Sequence, residues 1–133
     1  MRKILLGFVL VAPTAFGGVK FYGDLNVNRP GCVGDKIHMD QYNYRLASTV
    51  KCELPIMNAN QYNAVHIKRP GGGEQFGCWA KTLGGKALII ISDGTTETWD
   101  MLSFVEVDVD KTGNGKIIKS YFQRAGFAKC PTR

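Results

Sequence analysis

Two features are missing from this sequence, and each absence narrows the class of protein. No apolar run reaches the roughly 20 residues that a bilayer-spanning helix needs, so we predict no transmembrane segment in the mature chain. Histidine occurs only at His38 and His66, and no Cys-x-x-Cys pair is present. Because zinc sites are built from closely spaced Cys and His ligands, we predict no metal site and no cofactor.

The first residues have the layout of a secretory signal peptide. Arg2 and Lys3 precede the apolar run ILLGFVLVAPTAF, and the small residues Ala15 and Gly17 then suit signal peptidase. We therefore predict a signal peptide over 1–17, a single mature domain over 18–133, and a periplasmic or secreted location. The alternative is a hydrophobic first strand of a cytosolic domain, which the order of charge, apolar run and small residues disfavours.

The cysteines of the chain all lie in the predicted mature domain, at Cys32, Cys52, Cys78 and Cys130. An even number of cysteines in a short exported chain predicts two disulfides. Four cysteines allow three pairings, and the residues themselves leave that choice open.

Sixteen glycines and short apolar runs predict a strand-and-turn protein. The run KALIIIS (86–92) predicts a strand buried on both faces, whereas FVEVDVD (104–110) alternates and predicts a half-buried strand that pairs with KIIKSYF (116–122). LPIMNANQYN (54–63) is the predicted helix, since Pro55 suits a first helical turn. We predict an α+β fold with a mostly antiparallel, twisted sheet of about five to seven strands, one short helix and disulfide staples.

The stretch FGCWAKTLGGKALIIISDGTTETWDMLSF (76–104), with Cys52 upstream, resembles a family of small exported proteins found in proteobacterial genomes and prophages. Their pattern is a Cys before a short helix, then Gly-Cys-Trp, an apolar strand, Asp-Gly and a Phe, and it covers residues 52–104 here. The resemblance implies a Cys52–Cys78 disulfide, which leaves Cys32 to pair with Cys130. The family has no assigned activity, so the resemblance supplies no catalytic residue.

Two enzyme hypotheses involve Cys78. The segment GCWA (77–80) resembles the nucleophile region of papain-like proteases, but no His follows Cys78 to take its proton. L,D-transpeptidases, which act on peptidoglycan, have a His upstream of a Ser-His-Gly-Cys-x-Arg signature, and His66 with Cys78 resembles part of it. The matching segment QFGCWAK lacks the Ser, the second His and the Arg, so a structural role for both residues is favoured.

The stretch DVDKTGNGKI (108–117) resembles part of a calcium-binding EF-hand loop. In that register Asp110 takes the first ligand position, but Tyr121 stands where the bidentate Glu is required. The glycine-rich centre lies between two strand-like segments. It instead predicts the tip of a β-hairpin, because Gly113, Asn114 and Gly115 tolerate the positive φ of a tight turn.

Acidic residues are absent from residues 111–133, in a chain whose net charge is +6. A basic end of this kind suits an acidic protein partner or an anionic membrane surface, and the plain alternative is a solvated surface. Few aromatic residues are interleaved and export is predicted, so we predict no nucleic-acid binding. The predicted binding surface comprises this end and the RPGGGE loop, with Lys111, Lys116, Lys119, Arg124, Lys129 and Arg69.

These patterns predict a small exported binding protein without catalytic activity, in the form of an inhibitor or immunity-type partner of another protein. The hypothesis arises by elimination, since the sequence contains no evident acid/base or metal constellation. The alternatives are a peptidoglycan-acting cysteine enzyme that uses Cys78 and His66, and a basic module that binds anionic membrane surfaces.

Overall fold

A computed structural model of the chain describes residues 18–25, 31–126 and 130. The predicted signal peptide (1–17) and Lys129 lie outside this part of the chain. Within it, the strands are β1 (Val19–Asp24), β2 (Lys36–His38), β3 (Tyr44–Lys51), β4 (Asn63–Lys68), β5 (Glu74–Lys81), β6 (Lys86–Ile91), β7 (Thr96–Asp100), β8 (Phe104–Val109) and β9 (Asn114–Ser120). They form one open sheet in the order β2-β9-β8-β1-β3-β4-β5-β6-β7. Every neighbouring pair is antiparallel, which confirms the predicted sheet type.

The number of strands exceeds the predicted five to seven. The two additional strands are the sheet edges, β2 and β7, which have little apolar pattern of their own. β2 has only three residues and pairs with β9 from Lys36 to His38. β7 is exposed at all positions except Glu97 and pairs with β6. Both strands form because a neighbour supplies backbone hydrogen bonds, a signal that hydrophobic periodicity does not carry.

The predicted helix over 54–63 is wrong, because this segment contains only a 3-10 helix at Ala59–Gln61. Asn58 before it adopts a left-handed conformation with φ 61°, which interrupts a regular α-helix. The α-helix of the described residues is instead α1 (Tyr121–Arg124), at the end of the segment predicted as a strand. Its start is set by the Ser120 hydroxyl, which accepts a hydrogen bond from the Gln123 amide at 3.0 Å. The fold is therefore mostly β rather than α+β.

Two hydrophobic cores lie on opposite faces of the single sheet. Phe21 and Tyr22 are neighbours on β1, and they point to opposite faces and pack against different cores. The large core covers one face from β3 to β6 and contains Leu46, Val65, Ile67, Trp79, Ala87, Ile89, Ile91, Met101 and Phe104. The small core covers the other face at the β2-β9-β8-β1 end and contains Phe21, Ile37, Tyr42, Val105, Val107, Val109 and Ile117. At each end of the sheet, the face opposite its core therefore carries no second core among the described residues.

The burial of β6 corrects the prediction that KALIIIS is covered on both faces. Ala87, Ile89 and Ile91 are buried in the large core, whereas Leu88 and Ile90 are partly exposed on the other face. The outer face of this part of the sheet carries no second layer among the described residues. The alternating prediction for β8 is confirmed, since Val105, Val107 and Val109 are buried and Glu106 and Asp108 are not.

Two disulfides join segments that are distant in sequence. Cys52, after β3, is bonded to Cys78 on β5, and Cys32 is bonded to Cys130. These are the pairs that the family resemblance implies, and no cysteine of the chain is free. The loop-closure model gives about 3.5 and 4.7 kcal/mol of stabilisation for loops of these lengths. Disulfides form in oxidising compartments, so they indicate an environment outside the cytoplasm. The structure describes no helix with the length and apolar character to cross a membrane.

Candidate anion-binding face

The face of β1, β8 and β9 that points away from the small core is rich in lysine. Lys20 on β1 lies opposite Asp108 on β8, which in turn lies opposite Lys116 on β9. Lys116 then lies opposite Lys36 on the edge strand β2. Side chains alternate along a strand, so this cross-strand row projects to one side of the sheet.

A second row on the same face begins with Tyr22 on β1. It continues through Glu106 on β8 to Lys119 on β9, because a bulge between Glu106 and Val107 keeps Lys119 on this face. Near Lys119 lie Tyr121 and Arg124 of α1 and Lys81 of β5. We call the whole surface the basic face, with the cations Lys20, Lys36, Lys81, Lys116, Lys119 and Arg124 and the carboxylates Glu106 and Asp108.

Three of these cations surround the ring of Tyr121. The Lys81 ammonium donates a hydrogen bond to the Tyr121 hydroxyl at 3.2 Å and lies 5.5 Å from the ring centroid. The Lys119 ammonium lies 4.9 Å from that centroid, and the guanidinium carbon of Arg124 lies 5.7 Å from it. Cations at such distances are attracted by the π electrons of the ring. We call Lys81, Lys119, Tyr121 and Arg124 the Tyr121 cluster.

The Tyr121 cluster is electropositive because its cations have no close carboxylate partner. None of the three forms an ion pair with an acidic residue in the described part of the chain. The carboxylate of Glu106, which lies opposite Lys119 in the strand register, accepts a hydrogen bond from the Ser48 hydroxyl at 2.7 Å. The positive charge of the cluster is therefore available to an external anion.

This environment shifts the pKa values of Tyr121 and Tyr22, the two tyrosines of the basic face, in opposite directions. Burial opposes the ionisation of Tyr121, but hydrogen bonds and charge from Lys119 and Lys81 outweigh burial and lower the pKa of its hydroxyl. Burial, the Glu106 carboxylate and the neighbouring Tyr121 together raise the pKa of Tyr22 to about 12. Tyr22 is therefore held protonated beside a phenol that ionises more readily.

The residues predicted to form one binding surface lie in different parts of the structure. Lys116, Lys119 and Arg124 join the basic face, whereas Lys111 lies in the exposed turn between β8 and β9. Arg69 lies outside the basic face, and Lys129 falls outside the described residues.

Arg69 is engaged in a separate hydrogen-bond network. Its guanidinium donates to Glu97 at 2.8 Å, to the Tyr44 hydroxyl at 2.9 Å and to the Gln75 side chain at 2.6 Å. The same Glu97 carboxylate also accepts a hydrogen bond from the Trp99 indole at 2.9 Å. Arg69 thus has three internal acceptors and offers little capacity to an external anion.

Sequence reasoning missed Lys20, Lys36 and Lys81 as members of this surface. Each is a lone lysine in its own strand, and none lies in the acid-free segment. Only the tertiary structure brings them to this surface: Lys36 lies opposite Lys116, Lys20 lies opposite Asp108, and Lys81 reaches Tyr121. The alternation of Lys20 with the buried Phe21 is the single local signal that indicates an outward direction for one of them.

The hairpin tip that resembles an EF-hand loop uses its polar groups internally. Asp110 Oδ1 accepts hydrogen bonds from the amides of Thr112 at 2.8 Å and Asn114 at 3.2 Å. Gly113 has φ 91°, so the turn requires the conformation that glycine adopts freely. The segment forms the β8–β9 hairpin, as predicted. Among the described residues, no group of three or more His, Cys, Asp or Glu side chains is arranged to hold a metal ion.

The residues of the cysteine-enzyme hypothesis have other partners. Cys78 is fully buried and bonded to Cys52, so it carries no thiol in this structure. His66 stacks on Phe76 with ring centroids 4.8 Å apart, and its Nε2 lies 3.1 Å from Glu74 Oε1. A nucleophilic cysteine requires a thiolate and a base, and the disulfide removes the first of these.

The described residues define a class: a small, mostly β domain with two disulfides and a lysine-rich face. Comparison with protein-family models, with curated proteins and with solved structures gives no match for this chain. The basic face is therefore the basis on which a function is assigned below.

Proposed function

We propose that the mature chain is a small exported binding protein without catalytic activity, which binds an acidic surface of a protein partner outside the cytoplasm. An inhibitor or immunity-type role is the form of this proposal that suits a small, disulfide-stapled scaffold. The observation that carries it is the basic face, where six cations outnumber the carboxylates of Glu106 and Asp108 among the described residues. The similarity of residues 52–104 to small exported proteins is consistent with the proposal and stays a prediction.

The sheet supports binding because it fixes the positions from which these lysine side chains extend before a partner arrives. Lys20, Lys36 and Lys116 project from three hydrogen-bonded strands, so their spacing is set by the sheet rather than by a loop. A rigid surface loses less conformational entropy on association than a disordered basic tail. Complementary charge also accelerates encounter and discriminates against basic proteins.

The test is affinity capture from an extracytoplasmic extract, with the mature chain immobilised. The variant Lys36→Gln/Lys116→Gln removes two charges from the basic face. The matched control Lys68→Gln/Lys86→Gln removes two charges from the opposite face of β4 and β6, where the neighbouring Ile67 and Ala87 are buried in the large core. We expect an acidic protein that the wild type and the control retain at low salt and that the first variant loses. Equal retention by both variants would overturn the role of the basic face.

Two other results would move the assignment to a different class. Retention on vesicles that contain phosphatidylglycerol, with no protein captured, would assign the same face to an anionic membrane surface. Turnover of a peptidoglycan substrate that is lost in Cys78→Ala would assign the chain to the cysteine enzymes. The second result would also require Cys78 to be reduced in the active protein.

A further inference from the structure

We propose that the Tyr121 cluster is a binding site for a single phosphoryl group, held by Lys81, Lys119 and Arg124 with the Tyr121 hydroxyl as an additional donor. This inference goes beyond the proposed function because it requires no protein partner. It concerns the end of the basic face where β9 leads into α1, and not the row formed by Lys20, Asp108, Lys116 and Lys36.

The convergence of the three cations is the first step of the inference. Lys81 is on β5 and Lys119 is on β9, five positions away in the strand order, yet both ammonium groups lie within 5.5 Å of the Tyr121 ring centroid. Like charges brought together in this way repel one another. The ring offsets only part of that repulsion, and an anion between the cations would remove it.

The choice of a phosphoryl group follows from the number and type of charges. A carboxylate carries one negative charge, whereas a phosphate monoester carries close to two and presents three acceptor oxygens. Three cations without a carboxylate partner match the larger charge. Arg124 is exposed, and its planar guanidinium can donate two parallel hydrogen bonds to a phosphoryl group.

The pairing of Tyr22 with Tyr121 leaves the hydroxyl proton of Tyr121 free to be donated to a bound anion. Tyr22 and Tyr121 interact through their side chains, and burial together with the carboxylate of Glu106 keeps Tyr22 protonated. When Tyr22 donates to the Tyr121 oxygen, the Tyr121 proton is free to point to a bound anion. Lys81, which already donates to that oxygen at 3.2 Å, can turn another of its three N–H groups to the same anion.

The experiment is a titration of the mature protein with inorganic phosphate at about pH 8, where phosphate is mostly dianionic. Affinity is measured by calorimetry and by amide chemical shifts, with chloride at equal ionic strength as the reference. We expect saturable binding centred on Tyr121, weakened about tenfold in Lys81→Gln and in Arg124→Gln, the loss that follows from removing a charge-assisted hydrogen bond. The control Lys68→Gln, on the opposite face, should bind like the wild type.

Several outcomes would overturn the proposal. These are no effect of phosphate beyond that of chloride, equal weakening in Lys68→Gln and Arg124→Gln, or saturable binding of acetate as tight as that of phosphate. Arg124 is exposed, so its variant tests the site even if Lys81→Gln disturbs the fold. Vesicles that contain phosphatidic acid identify the source: vesicle binding that phosphate displaces supports a lipid phosphate, and phosphate binding without vesicle binding supports a soluble ligand. The capture experiment uses Lys36 and Lys116 instead, so either proposal can fail alone.

Discussion

The hydroxyl of Tyr44 donates a hydrogen bond to Glu97 at 2.6 Å, although Tyr44 lies on β3 and Glu97 on β7. These strands are four positions apart in the sheet, a separation of about 19 Å if the sheet were flat. The sheet therefore curls around the large core until β7 approaches β3. Arg69, which bridges Tyr44 and Glu97, fastens the two sides of this curl.

Loss of the Glu97 carboxylate is expected to loosen the curl. We expect Glu97→Gln to lower the free energy of unfolding by about 1–2 kcal/mol, because Arg69 loses its charge-assisted hydrogen bond and both side chains are only partly exposed, at 34% and 26%. Urea denaturation followed by circular dichroism measures the change. Lys86→Met is the control, since its exposed ion pair with Asp100 should contribute nothing measurable. An equal loss in both variants would contradict the special role of Glu97.

The pKa of the Glu97 carboxyl predicts that part of the stability of the fold is lost in acid. Burial raises the pKa of Glu97, but hydrogen bonds from Tyr44, Trp99 and Arg69 outweigh it, so the net pKa in the folded state is below its ordinary value of 4.5. A depressed pKa contributes stability that is present above 4.5 and is lost as the pH falls through the folded-state pKa. We expect the stability of the wild type to fall more steeply in acid than that of Glu97→Gln. Parallel curves for the two proteins would contradict this.

The tyrosines are expected to ionise in a defined order. Tyr121 should ionise below the ordinary value of 10.0, and Tyr22 should ionise well after it, at about 12. The first step in absorbance at 295 nm should vanish in Tyr121→Phe, and bound phosphate should shift it to higher pH, because phosphate and phenolate compete for the same cations. The raised pKa of Tyr22 contributes stability that is complete below pH 10.0 and is lost as the pH rises through about 12. A first step that survives in Tyr121→Phe would contradict the assignment.

Thiol chemistry tests the two disulfides directly. The protein purified without reductant and unfolded in guanidinium should show no thiol that reacts with Ellman's reagent. Replacing Cys52 and Cys78 together by Ala should cost about 3–4 kcal/mol, and replacing Cys32 and Cys130 about 4–5 kcal/mol, as loop closure predicts. A reactive thiol in the unreduced protein would contradict the pairing and restore Cys78 as a candidate nucleophile.

The hydrogen bonds within the β8–β9 turn predict that calcium does not change the stability of the protein. Hydrogen bonds from the Thr112 hydroxyl and amide lower the pKa of Asp110, and they occupy the carboxylate that a metal would require. Millimolar calcium should leave the melting temperature unchanged. Asp110→Ala should lower it, whereas Lys111→Ala in the same turn should not. A rise of several degrees with calcium would revive the EF-hand interpretation.

The local sequence pattern predicted the structure correctly where one face of a strand packs against one core. The alternation of Val105, Val107 and Val109 located β8, and the glycine-rich segment after Asp110 located the turn. Pattern failed over 54–63, where the apolar face that suggested a helix has no core to cover it and Met57 is 86% exposed. It failed also for KALIIIS, since a run of apolar residues does not reveal that the described part of the chain leaves Leu88 and Ile90 partly exposed.

The residues alone were enough to predict the antiparallel strand-and-turn character, the cysteines for two disulfides and the acid-free basic end. These depend on side-chain period, residue count and charge, which are local quantities. The folded structure was needed to show that Lys81 and Lys119 meet at Tyr121 and that Arg69 is occupied by Glu97, and it established the Cys52–Cys78 bond that the resemblance implied. Strand order and sheet curl, to which the whole chain contributes, bring these residues together, and no single segment of the sequence encodes them.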